Sequence, residues 1–368
     1  MILPPILLHY YITERCNCQC SFCSIWKSSS PAADAATDDV LTNLKNARQL
    51  GVRYVDFTGG EPLLHPQLHL LLRQAKRLGF KTTITTNTLL YPQLAESLKG
   101  LIDFLHFSLD SLDENQHNTM RGCQTYNSVM ESIRIIQKLS EKADLLCTIS
   151  EKNIHQLPQL VKFARSLRMM LIVNPVFSYS GSATIDPALL SDVDAFAAHP
   201  FVYVNKAFHR LRRRGGNQTG HPRCRVIDST IVISPQNEII LPCFHCGFCR
   251  IPLAISSNHR PAVINMAPPG WQQRISASMN DHQARQHHRN PIKRFRESET
   301  FRLFKKMQGR FSFCSGCHIN CYFDPSFVYQ PDEYMLLSLQ AKARYAFYKY
   351  VYNLPASTRL FSQQGSTR

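Results

Sequence analysis

The stretch Thr13-Glu14-Arg15-Cys16-Asn17-Cys18-Gln19-Cys20-Ser21-Phe22-Cys23 follows directly on the apolar, β-branched run Ile6 to Thr13. The run reads as a strand, so the cysteines lie on the loop that leaves it. Cys16, Cys20 and Cys23 have the spacing CxxxCxxC. Three thiolates on one tight loop hold three irons of a cubane and leave the fourth without a protein ligand. An iron with an open position is a catalytic one, by the logic that separates catalytic from closed structural metal sites. A zinc site would want a fourth ligand, and Cys18 is the candidate. Cysteines two apart do not easily face one ion, so Cys18 reads as a bystander. Phe22, beside Cys23, would cover the cluster and lower the local dielectric.

Outward from this loop, β-rich runs alternate with helical patterns to about residue 177, the signature of repeated βα units around a parallel sheet. Six strands are expected, at Ile6 to Thr13, Val52 to Thr58, Lys81 to Thr86, Ile102 to Leu109, Leu145 to Ile149 and Leu171 to Phe177. Helices fall between them, including Asp38 to Leu50, Gln67 to Leu78, Tyr126 to Leu139 and Leu157 to Leu167, with apolar residues recurring at three and four. Six units are too few to close an eight-stranded barrel, so the expected fold is α/β, an open partial (βα)6 barrel.

Polar residues gather at the predicted strand ends, the rim where barrel active sites are built. Gly59-Gly60-Glu61 follows the second strand, with glycines that permit close backbone approach and a carboxylate able to accept from an ammonium group. Asn87 ends the third strand, Ser108 and Asp110 the fourth, and Ser150 and Asn153 follow the fifth. Arg121, in the segment after the fourth strand, offers a bidentate fork for a carboxylate.

The triplet after a first strand, the aromatic before its last cysteine and the six βα units together resemble the radical S-adenosylmethionine (radical SAM) superfamily over roughly residues 6 to 177. The resemblance implies a [4Fe-4S] cluster whose free iron is chelated by the amino and carboxylate groups of S-adenosylmethionine, which is cleaved to methionine and a 5′-deoxyadenosyl radical. It implies that Gly59, Gly60 and Glu61 hold the methionine amino group, that Asn87, Ser108 and Asp110 contact the methionine and ribose parts, that Ser150 and Asn153 lie on the ribose side, and that Arg121 reaches the carboxylate. Many relatives continue with glycine after the residue matching Asn87. Here Thr88 follows.

A second cysteine set, Cys224, Cys243, Cys246, Cys249, Cys314, Cys317 and Cys321, exceeds what burial explains. It suits one auxiliary [4Fe-4S] cluster with spares, or two clusters with one open position. The main rival is a four-thiolate zinc site built from CxxC pairs. Thr230 to Ile233 and Ile239 to Leu241 read as a hairpin that delivers Cys243. This arrangement resembles the SPASM and twitch extensions behind many radical SAM barrels, with Asn237 in place of their turn glycine. The expected division is a barrel and linker over 1–215, a smaller cysteine-rich domain over 216–330, and a C-terminal helix and tail over 331–368. Loop structure is expected at Ser178 to Ser182, and part of the polar insert Pro252 to Arg310 is expected to be mobile.

Of the 368 residues 44% are hydrophobic, enough to bury a substantial core. No apolar run is long enough to span a bilayer, and the start Ile2 to Leu8 is interrupted by Pro4 and Pro5, so neither a transmembrane segment nor a signal peptide is expected. Thirteen clustered cysteines argue against a disulfide framework and for reduced thiols in a cytoplasmic setting. The net charge of +16 suits an anionic partner.

The expected function is an enzyme that modifies a peptide side chain or a small metabolite by hydrogen abstraction, fed by an electron donor such as flavodoxin or ferredoxin. Lys293, Arg294, Arg296, Lys305, Lys306 and Arg310 motivate a phosphorylated, nucleotide-derived or lipid substrate instead. A nucleic-acid-binding iron-sulfur or zinc protein would explain the charge but not the triplet, Gly59-Gly60-Glu61 and the βα units together.

Overall fold

The computed structural model describes residues 4–27, 33–177, 185–247, 249–253, 262–263 and 290–352. Strand β1 (Leu7–Thr13) alternates its side chains between two faces. Leu8, Tyr10 and Ile12 are sealed on one, where Asn43 of α1 (Thr37–Gln49) donates to the Tyr10 hydroxyl. His9 and Tyr11 turn to the other and meet Tyr322 there.

The expected units follow: β2 (Tyr54–Gly59), α2 (Leu68–Arg77), β3 (Lys81–Thr86), α3 (Tyr91–Leu98) and β4 (Phe104–Ser108). Then come α4 (Glu114–Arg121), α5 (Tyr126–Lys138), β5 (Ala143–Ile149), α6 (Leu157–Leu167) and β6 (Leu171–Pro175). Strands β1 to β6 pair in parallel in chain order, the partial barrel expected of six βα units. A short β7 (Val202–Tyr203) adds to β6. Helices α7 (Leu190–Ala195), α8 (Lys206–Arg213) and α9 (Val226–Ser229) lead away from it.

The sheet does not end at β1. β8 (Thr230–Ile233) pairs in parallel with its free edge, Leu7 opposite Thr230 and Tyr10 opposite Ile233. β9 (Glu238–Leu241), β10 (Cys249–Pro252) and β11 (Ala262–Val263) extend it antiparallel, giving one eleven-stranded sheet. The hairpin turn holds Asn237 at φ 60°, with its side-chain oxygen accepting from Asn43. Asparagine tolerates that left-handed backbone, as the turn requires.

Further on lie α10 (Pro291–Glu297), α11 (Glu299–Met307), α12 (Asn320–Phe327) and α13 (Glu333–Ala346), which runs into a π-helical segment, Phe347–Tyr352. The described part of the basic insert is folded: Arg296 is buried against Phe301, Lys305 pairs with Asp228 and Arg310 donates to the carbonyls of Thr219 and Gly220. The loop expected at Ser178 to Ser182 and the middle of the insert fall outside the described residues. Among the described residues no helix is long and apolar enough to cross a membrane.

Candidate active site

The cysteine loop leaves the C-terminal end of β1 and is held by its neighbours' backbones. Gly60 N donates to Thr13 O and Glu61 N to Arg15 O. Gly59, at φ 146°, and Gly60 press on the loop so closely that an added Cβ would sit 1.9 Å from Thr13 O and 2.1 Å from Arg15 O. Here the glycines are required by contact. Arg15 is clamped in turn by Asp34 and Leu64 O. The Cys16 thiol is raised to about 11 by burial, and further by the neighbouring charges of Glu61, Cys20 and Cys23. The three cysteines and Glu61 therefore lie within electrostatic reach of one another.

Glu61 is buried, accepting from Leu63 N and Asn87 N, and burial lifts its carboxyl to about 7. Asn87 bridges to the loop by donating to the Asn17 side chain at 2.6 Å. Thr88, where the relatives' glycine was expected, takes φ 73°, the left-handed region a β-branched residue rarely enters. The backbone has kept the glycine conformation without the glycine.

Against the same loop, Arg121 Nε lies 2.7 Å from Asp110 Oδ2, and its guanidinium stands over the Phe22 ring at 5.4 Å. Burial works against its charge, but Asp110 and Cys20 more than compensate and raise its pKa. Its guanidinium also hydrogen-bonds the Cys20 side chain. Asp110 Oδ1 accepts from Thr148 N. Asn153 turns inward, donating to the Asp110 and Thr148 carbonyls and accepting from Ser150, so it ties strand ends together. Ser108 is buried at the same rim. His117, lowered to about 3 by burial and by Arg121, accepts from Asp110 N as a neutral ring.

Cys18 is no bystander: it forms a disulfide with Cys123, just beyond α4. The local spacing that argued against disulfides could not see this pairing, whose halves meet only because α4 returns to the loop. Gln19 N and Ser21 N also donate to the carbonyls of Arg121 and Met120.

Residues 10–164 match the profile of the Radical SAM superfamily. The chain carries a radical SAM domain. It is 26% identical over 167 residues to the AdoMet-dependent heme synthase of Methanosarcina barkeri, covering 44% of this chain and 48% of that protein. It is 29% identical over 259 residues to the tungsten-containing aldehyde ferredoxin oxidoreductase cofactor-modifying protein of Pyrococcus furiosus, covering 64% of this chain and 70% of the relative. The chain spans about half the length of several curated relatives it matches. Its fold is shared by anSMEcpe with bound AdoMet and Kp18Cys peptide, at TM-score 0.57 and 15% identity over 94% of this chain and 97% of that one. Over residues 10–164 the chain is similar to a superfamily whose members use a [4Fe-4S] cluster and S-adenosylmethionine.

Beyond the radical SAM domain, five further cysteines gather around Cys317. After burial itself, the charge of Cys317 raises Cys224 and Cys314, and Asp56 and then Cys317 raise Cys321. A hydrogen bond from Cys243 lowers Cys246 to about 7. No three His, Cys, Asp or Glu side chains among the described residues are placed to hold a single metal ion. Cys249 is not in the group. It is fully buried on β10 opposite Leu241, facing only the charge of Glu238, because strand alternation turns it into the core.

Two residues that sequence reading passed over organise this region. Asn217 donates to Gly309 O and Cys314 O and accepts from the backbone of Arg223 and Cys224, stapling three segments. Arg212, in the basic run Arg210 to Arg214, is buried, donating to Asn320 Oδ1 and to the carbonyls of Pro175 and His318. Its burial brings its pKa down to about 10, against the opposing pull of Cys317. Tyr11 on β1 stacks on Phe244 at 3.7 Å, so the second cysteine set abuts the barrel interior.

Proposed function

We propose that Cys16, Cys20 and Cys23 hold a [4Fe-4S] cluster, and that Glu61 and Arg121 grip the two ends of the methionine moiety of S-adenosylmethionine. The chemistry this group would supply there is hydrogen abstraction from a peptide side chain or small metabolite. One observation carries this reading: a buried carboxylate and a buried guanidinium both lie against the loop of three cysteines. They complement an amino acid's ammonium and carboxylate.

When bound, cluster and S-adenosylmethionine supply reductive carbon–sulfur cleavage. The chain's own contribution is placement. Glu61 accepts from the ammonium, Arg121 donates to the carboxylate, Asp110 fixes the guanidinium, and Gly59 and Gly60 let the β2 end close on the cysteine loop. The second cysteine set, without Cys249, is read as the holder of an auxiliary [4Fe-4S] cluster, since six thiols are gathered with no single-ion geometry among them. A flavodoxin or ferredoxin in a reducing, cytoplasmic setting would supply the electron. The peptide bound to anSMEcpe and the name of the Pyrococcus relative support the two substrate classes.

Anaerobic reconstitution with iron and sulfide, then dithionite and S-adenosylmethionine, tests the reading. 5′-Deoxyadenosine is the expected product. Its absence from protein with a loaded cluster overturns the proposal.

A further inference from the structure

Eight large apolar side chains stand exposed among the described residues, and six of them lie on α13 and its π-helical continuation: Leu336, Leu339, Phe347, Tyr350, Val351 and Tyr352. Leu336, Leu339, the exposed Ala343, Phe347 and Val351 recur at three and four, which is one face of a helix. A seventh, Tyr54, opens β2 at the same end of the barrel.

The helix is amphipathic in the reverse sense from an ordinary surface helix. Ser338, Lys342, Tyr345 and Lys349 point inward and are committed, while Gln340 and Arg344 stay exposed. Ser338 accepts from Asn205, Lys342 pairs with Asp324 at 2.6 Å, and Tyr345 OH and Lys349 Nζ converge on buried Asp144 at 2.6 and 2.7 Å. These bonds fix the rotation of the helix, so the apolar stripe cannot turn to the core. An exposed stripe of this length marks an interaction surface.

The surroundings say which kind. Helices α1, α2, α3, α5 and α6 end at this rim, opposite the cysteine loop on which α4 ends, and helix dipoles alone favour bases there. Arg53, Lys99, Lys138 and Lys142 are exposed on its loops and helix ends, against Glu96 and Glu141. Asp103 is already taken by Lys76 and Lys81, and Glu333, the one acid of the C-terminal helix, by Arg210 and Arg214. Lys142 stands over the Tyr350 ring at 5.3 Å, so basic rim and apolar stripe are contiguous. A second copy of this chain would bring like charge to like, at +16 each.

We propose that this end of the barrel seats on an anionic lipid bilayer, the stripe entering the interfacial layer and the rim bases lying over the phosphates, with the Cys16–Cys23 loop on the aqueous side. Apolar burial and attraction to anionic headgroups then act together, as interfacial helices require.

Co-sedimentation of the full chain with vesicles of equal parts phosphatidylglycerol and phosphatidylcholine tests this, against phosphatidylcholine alone. Binding only to the anionic vesicles, weakening as salt rises, is expected. The double variant Leu339→Glu/Phe347→Glu and, independently, Arg53→Glu/Lys99→Glu should each bind about tenfold more weakly, with unchanged thermal unfolding. Absent binding, equal binding to both vesicles, or binding untouched by both variants overturns the proposal. So does a dimer in light scattering that the apolar variant abolishes while vesicles capture nothing.

Discussion

Arg121 Nε lies 2.7 Å from Asp110 Oδ2, and both side chains are closed to solvent. A buried guanidinium that loses its counter-charge is left uncompensated, a loss of about 3–5 kcal/mol. Asp110→Ala is therefore expected to cost about that much in anaerobic denaturant unfolding of the cluster-free protein. Asp110→Asn, which keeps an acceptor for Thr148 N, should cost less. Both should weaken S-adenosylmethionine binding through the misplaced Arg121.

Gly60→Ala drives a methyl group to 2.1 Å from Arg15 O and 2.9 Å from Cys16 Cβ. The loop must shift, so iron bound per chain after reconstitution should fall severalfold. Gly220→Ala meets nothing within 4 Å and serves as the control, with unchanged iron.

Cys18 and Cys123 close a loop with a sequence separation of 105. Chain entropy gives such a link about 3–5 kcal/mol. In protein unfolded without reductant, Cys18→Ser should be less stable by that order, and the difference should vanish in dithiothreitol. Mass spectrometry of unreduced protein should find the two cysteines in one cross-linked peptide; free alkylation of both in the native state contradicts the pairing.

Glu61 keeps its proton to about pH 7 when folded, against an ordinary value of 4.5. Between those values the folded state binds more protons than the unfolded one, so the cluster-free protein should lose stability as pH rises through that window. The slope should be reduced in Glu61→Gln. Saturating S-adenosylmethionine should reduce it in the wild type, since an ammonium beside the carboxylate favours the charged form.

Cys249→Ala should leave total iron unchanged, while Cys317→Ala should lower it. Equal losses in iron analysis would return Cys249 to the ligand set.

The strands, the triplet and Gly59-Gly60-Glu61 were legible because each is encoded within a few residues: β alternation, CxxxCxxC spacing, a turn after a strand. What could not be read is what tertiary packing decides. Arg212 lies in a run of five residues with four arginines, and only the packing of its helix shows that it is buried against Asn320. Asn217 is an ordinary loop residue until three segments converge on it. Cys249 shares CxxCxxC spacing with Cys243 and Cys246, but the strand at β10 overrides spacing by turning it inward. Conversely, Asn237 and Thr88 stand where related chains favour glycine, and both keep a positive φ.

Strand β1 carries β2 on one edge and β8 on the other, and the cysteine loop leaves its end. It is a common datum line: any slip of β8 would move Cys243 relative to Cys16 by whole residues. Cutting the chain at Gly216 would strip β1 of that partner and leave a bare parallel edge, open to pairing with other molecules. The C-terminal half is thus a structural wall of the barrel, and a truncated barrel should aggregate before it can be assayed.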